Sequence, residues 1–298
     1  MTSDSNRPAT QPKSIKQHTK IRHVEEIITA RPASDGADVK LLRVFGGRQP
    51  ERFDPFLLLD EFGSESSKDY IGGFPPHPHR GFQTVTYMLK GKMEHRDHMG
   101  NVGLLSDGDV QWMSAARGII HSEMPKQTEG KMRGFQLWIN LAAAEKMHNA
   151  AYQDIPAMEI PCYNIDKVTA KALAGSSKIN QQIITGKIQG LTTDVTLMDL
   201  TWSGQQQLTI TLPDNHTALL YVVEDQVELI KTTVKRQQLA RLSRQGDLSV
   251  SATTGARALL LIGKPLQEPI VQYGPFVMNT MEEIEKAIED YQQNRLTQ

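Results

Sequence analysis

Gly72-Gly73-Phe74-Pro75-Pro76-His77-Pro78-His79-Arg80-Gly81 and, further on, Gly118-Ile119-Ile120-His121-Ser122-Glu123 set the reading of the whole sequence. Each stretch offers two metal-type ligands at positions i and i+2. Alternate side chains of a β-strand share a face, whereas i and i+2 diverge on a helix, so the pattern predicts two strands. Laid side by side, those strands would bring three imidazoles and one carboxylate to one point. That donor set suits a divalent first-row metal such as iron and leaves open coordination positions. A lone His-x-His arises often by chance. Two paired motifs, one led in by Gly-Gly-Phe-Pro-Pro, form a more specific constellation.

Working outward, the flanking sequence keeps a strand-and-turn texture. Phe82-Gln83-Thr84-Val85-Thr86-Tyr87-Met88-Leu89 reads as a strand, Lys90-Gly91-Lys92 as a turn, and Met93-Glu94-His95-Arg96-Asp97 as the returning strand. Phe53 to Phe62, Val110 to Met113 and Gly134 to Leu141 add further short apolar runs. Many short strands punctuated by Gly and Pro predict an all-β sandwich or barrel. The texture changes between Ala142 and Pro161, which reads as a linker, and then resumes in Thr193 to Leu200, Leu208 to Leu212, Leu219 to Val223 and Leu259 to Ile262. We therefore expect an N-terminal tail over 1–20, a first barrel over 21–145, a linker over 146–161 and a second barrel over 162–298. The second barrel carries no His-x-His. Its His216 stands alone in a loop and is expected to be structural or solvated, so no metal is expected there. Thr280-Met281-Glu282-Glu283 has the form of a capping box and predicts a short C-terminal helix, with Ile284, Ala287, Ile288 and Tyr291 on one face.

The bulk composition excludes several classes of function. A net charge of −1 and the absence of any recognition-helix pattern argue against direct nucleic-acid binding. No apolar run is long enough to span a membrane, and the polar stretch Met1 to Lys20 has no signal core. A single cysteine, Cys162, rules out an intrachain disulfide and a cysteine-based zinc site; it is expected to be small and partly buried. A cytoplasmic location is the expectation.

His77-Pro-His79-Arg-Gly-Phe, Gln111-Trp-Met-Ser-Ala-Ala-Arg-Gly-Ile-Ile-His121-Ser-Glu123-Met-Pro and Gly274-Pro-Phe-Val-Met-Asn-Thr resemble the pirin family, from about Ile21 to near the C-terminus. The resemblance implies two tandem cupin (jelly-roll) β-barrels with a C-terminal helix. It also implies one mononuclear iron site, Fe(II) or another divalent first-row metal, held by His77, His79, His121 and Glu123 in the first barrel, with the second barrel metal-free. Two departures stand out. Gln83 occupies a position where many cupins keep a glutamate, which would alter the surroundings of the metal, and Ala116 replaces a common turn glycine. His95 and His98 are expected to be exposed on the Met93–Gly100 hairpin.

Resemblance to quercetinases within the family implies a quercetin 2,3-dioxygenase, which opens a flavonol ring with O2 and releases carbon monoxide. Glu123 would be the catalytic base for the flavonol 3-hydroxyl, and Phe53, Phe56, Phe82 and Trp112 are candidates for the pocket wall or, equally, for barrel core. The alternative is an iron- and redox-dependent regulatory protein that binds a transcription factor or a metabolic enzyme without turnover. A third is a protein that keeps iron but acts on another phenolic substrate.

Overall fold

The structure, a computed structural model, describes residues 20–47 and 49–298. The expected tail therefore lies outside the described residues except for Lys20. Short antiparallel strands build two barrels, each made of a large sheet facing a smaller one. In the first, seven strands run in the spatial order Ala151–Ile155, Val110–Ser114, Phe82–Lys90, Met132–Asn140, Phe56–Ser64, Val39–Gly46 and Arg31–Asp35. Four strands face them, in the order Phe74–His79, Ile119–Pro125, Met93–Asp97 and Val102–Leu105. The second barrel repeats this with a seven-stranded and a six-stranded sheet. One α-helix, Met281–Gln292, follows, and Thr280 and Glu283 close its capping box by accepting from each other's backbone N–H. Among the described residues no helix is long and apolar enough to cross a membrane.

Three elements pair away from the place that sequence order suggests. Val24–Thr29, read as the opening of the first barrel, hydrogen-bonds to Gln238–Leu242 at the edge of the second barrel's sheet. Ala151–Ile155, read as linker, pairs with Val110–Ser114 of the first. The hairpin Val271–Tyr273 and Phe276–Met278, with the helix behind it, packs against the segment that follows the first histidine pair. Arg80, 4% exposed, is the anchor there. Its Nη1 lies 2.9 Å from Asp290 Oδ2 on the helix, its Nη2 donates to the Leu296 carbonyl at 3.0 Å, and its Nε donates to the Arg117 carbonyl. Lys146 is likewise buried, its Nζ donating to the Gly81 and Val277 carbonyls and to Asn140 Oδ1. Burial pushes this ammonium down to about 8.

The outer faces of the two large sheets pack on one another. Leu59, Val85, Phe135 and Leu137 meet Leu197, Leu219, Leu259 and Leu261 in one apolar cluster. Two tyrosines cross it: Tyr87 donates to Asp199 at 2.7 Å and Tyr221 donates to Glu61 at 2.6 Å. Arg257 holds Asp199, and Arg133 holds Glu61 while also reaching Glu224. Burial first, then the facing carboxylate, pushes both phenols up, so each stays a proton donor. Cys162 departs from its expected partial burial: it lies exposed, because the edge strand Cys162–Ile165 turns Ile165 inward and its first residue out. His216 sits in a turn with Nε2 3.2 Å from Asp194 Oδ2.

Candidate metal centre

The predicted strand alternation brings three of the candidate ligands together. On adjacent antiparallel strands His121 stands opposite His77, and Ile119 opposite His79. His77, His79 and His121 offer ring nitrogens that all lie within 4.8 Å of one another. His79 and His121 are 3% and 2% exposed, so burial, reinforced by the neighbouring imidazoles, holds both well below the usual histidine range. The neutral ring is the form that ligates a metal.

The residues present fit a metal ion. Nε2 of His77 and Nε2 of His79 are 3.0 Å apart. Two metal–nitrogen bonds of about 2.0–2.1 Å meeting near a right angle would span that distance. Nε2 of His121 is buried with no hydrogen-bond partner, while its Nδ1 lies 2.9 Å from His95 Nε2. With Nε2 kept for a metal, Nδ1–H of His121 donates to His95, which fixes the orientation of the ring.

Glu123 is buried, 4% exposed, but is not part of the three-histidine cluster. The ladder slips between His121 and Glu123, so that Glu123 faces Phe74. Pro75 and Pro76 stand at this break; lacking an N–H they cannot carry the ladder, and the bulge re-aims the side chains beside it. The Glu123 carboxylate is held from the large sheet instead, with Oε1 3.0 Å from Thr86 Oγ1 and Oε2 accepting from Gln136 Nε2 at 3.2 Å.

Glu123, His77 and His79 line a cleft of about 600 Å³ whose walls include Leu41, Leu58, Phe62, Phe74 and Trp138. That size and lining are typical of a small-molecule site. The aromatic residues named from sequence lie elsewhere. Phe53, Phe56 and Trp112 belong to the cluster between the barrels, and Phe82 sits behind the site, its ring 5.1 Å from that of His79 and 4.3 Å from that of Trp138. Gln272, Gly274 and Pro275 of the C-terminal hairpin complete the wall, a contribution from far along the chain that strand periodicity could not reveal.

Two further expectations are corrected. His95 is fully buried rather than exposed: Met93–Asp97 alternates, with Met93 and His95 inward and Arg96 outward, and this placement brings His95 opposite Glu123. The alternation in Met-Glu-His-Arg-Asp was the available signal. His98 is exposed as expected. Gln83 does not face the three-histidine cluster. It shares the face of Val85 and Tyr87, which points at the second barrel, and its Oε1 accepts from the Trp112 indole at 3.3 Å. Period-two geometry therefore gives to Thr86 and Gln136 the role that sequence gave to Gln83. Accordingly, Gln83→Glu is expected to leave metal content unchanged, measured by elemental analysis of the purified variant; a loss of more than half the metal would contradict this placement.

Comparison with known proteins supports the architecture across both barrels. The pirin family model matches residues 38–139, and that of the pirin C-terminal cupin domain matches residues 197–297. A Pseudomonas aeruginosa protein named "Putative quercetin 2,3-dioxygenase" is 51% identical over 277 residues, 92% of this chain and 97% of that one. Human pirin is 36% identical, with 89% of this chain and 90% of its own covered. The crystal structure of a quercetin 2,3-dioxygenase from Acinetobacter baumannii superposes with a TM-score of 0.86 at 32% identity, covering 93% of this chain and 99% of that chain. Matched in both barrels and by relatives covered almost end to end, this chain belongs to the pirin family.

Proposed function

We propose that this protein is a quercetin 2,3-dioxygenase whose Fe(II) is held by His77, His79, His121 and Glu123. The observation that carries the reading is the three-histidine cluster, two of its rings deeply buried, beside an apolar cleft sized for a flavonol. When bound, the metal supplies Lewis acidity that lowers the pKa of the flavonol 3-hydroxyl and the redox chemistry that engages O2. Leu58, Phe62 and Trp138 pack against the flat rings and exclude water.

Glu123 takes the 3-hydroxyl proton, and its surroundings favour Oε1 as the acceptor. Thr86 Oγ1 lies 3.0 Å from Glu123 Oε1 and 2.7 Å from Gln136 Oε1, yet a hydroxyl has one proton to give. Given to Gln136, that proton leaves Glu123 Oε1 without a donor. Once protonated there, Glu123 donates to Thr86, Thr86 to Gln136, and the Gln136 amide back to Glu123 Oε2, closing a ring of three hydrogen bonds. The chain thus provides a base and a receptacle for the proton it accepts.

The test is anaerobic loading with Fe(II), metal quantification, and O2 uptake with and without quercetin. We expect near one iron per chain and quercetin-dependent uptake with carbon monoxide release. Glu123→Gln should lower turnover by about 10²–10⁴ while the three histidines keep most of the metal. Iron retained without any quercetin-dependent uptake in the wild type would overturn the dioxygenase reading.

A further inference from the structure

The cleft has a patterned floor. Gln136 lies opposite Asp60 on the neighbouring strand, and Asp60 opposite Arg43 on the next, so the three form one polar row running across the sheet. The row begins at Glu123, through the Gln136 amide, and ends two strand spacings, about 10 Å, further on. Apolar rows flank it: Trp138 opposite Leu58 on one side, and Phe62 opposite Leu41 on the other. A polar track between apolar rails fits a flat aromatic ligand with polar groups at both ends.

At the far end Arg43 donates to Asp60 through Nε at 3.0 Å and Nη2 at 2.7 Å, and its Nη2 also lies 3.4 Å from Asp35. The Asp60 side chain is 6% exposed and that of Arg43 31%. Each Asp60 oxygen accepts one bond from Arg43, and a carboxylate oxygen has lone pairs for a second donor. Both residues line the cleft, so a ligand hydroxyl there can supply that second donor.

We propose that the Arg43–Asp60 pair determines specificity by binding the hydroxyl groups on the end of the ligand remote from the metal. The cleft therefore selects an elongated, two-ended polyphenol over its unhydroxylated counterpart. A charge-assisted contact that a hydroxyl completes, and a bare ring leaves unmet, discriminates in this direction. The proposal rests on the flavonol reading for the ligand class, and the test separates the two.

The test is equilibrium binding of luteolin and of flavone to the metal-free full chain, followed through intrinsic tryptophan fluorescence, to which Trp138 in the cleft wall contributes. Neither ligand has a 3-hydroxyl, and without metal no chelation contributes. The wild type should bind luteolin at least about tenfold more tightly than flavone. Asp60→Asn, and separately Arg43→Gln, should each cut that ratio below about threefold while leaving flavone affinity within about twofold. Arg43 is partly exposed, so its variant keeps the test open if the buried Asp60 change impairs folding. Equal binding of the two ligands by the wild type, no luteolin binding at all, or an undiminished ratio in the variants overturns the proposal. A luteolin preference that depends on the pair, with no quercetin-dependent O2 uptake in the iron-loaded wild type, would sustain the pair and sink the flavonol reaction. Uptake without the preference would do the reverse.

Discussion

His79→Ala should reduce metal retention from about one ion per chain to under a tenth of that, and quercetin-dependent O2 uptake should fall below detection with it. His79 is the most constrained of the three imidazoles. It is buried, it faces His77 at 3.0 Å, and the rings of Phe82 and Trp138 fix its plane. Glu123 is already a ligand in the proposed site and His95 is engaged with His121, so nothing nearby can replace it. Metal binding should also stabilise the wild type by mass action, raising its melting temperature by several degrees, and the variant should show no such rise. That second readout needs no substrate. A variant that still holds half its metal would show that the site does not depend on His79.

Arg257→Ala is expected to cost about 3 kcal/mol of stability, the low end for breaking a buried ion pair. Asp199 is 2% exposed at the interface between the barrels and keeps only the Tyr87 hydroxyl once the guanidinium is gone. The Arg257 side chain itself is 25% exposed, so water answers part of the loss, which is why the lower figure is expected. Tyr87→Phe, which removes one hydrogen bond to a charged group, should cost about 1.5–3 kcal/mol. The two losses should not add, because both act on Asp199. Urea unfolding of the two single variants and the double variant measures this; a loss under about 1 kcal/mol for Arg257→Ala would mean the pair contributes little to holding the barrels together.

The parts of this molecule that were legible in its sequence are those governed by short-range rules. Alternation along a strand put His77 with His79, and a capping box marked the helix at Thr280. Even the Ala116 departure proved local: the residue keeps a φ of +40°, the backbone that glycine would have adopted most easily. What escaped the sequence depends on partners far along the chain. Glu123 is re-aimed by a ladder slip opposite two prolines, and the inward turn of His95 matters only because His121 lies beside it. Phe62, Arg43 and Gln272 meet in one cleft although 229 positions separate the outermost two. Gln83 shows the opposite hazard, since a family position fixed its importance while the pleat turned it to the other face.

The tyrosines that cross between the barrels carry a historical consequence. Tyr87, Arg133 and Glu61 sit on three adjacent central strands of one sheet, and Tyr221, Arg257 and Asp199 on the three matching strands of the other. Each tyrosine reaches the acid of the opposite set, so exchanging the halves regenerates the same contacts. Such reciprocity defines an isologous, two-fold interface, the kind that joins identical subunits. The chain thus holds, covalently, the form of a homodimer of single barrels. Identical subunits must carry identical sites; fusion removes that constraint. In the second barrel the strand pair matching His77 and His121 presents Leu208 opposite Val250, both buried. Among the described residues, the histidine cluster falls in the first half alone.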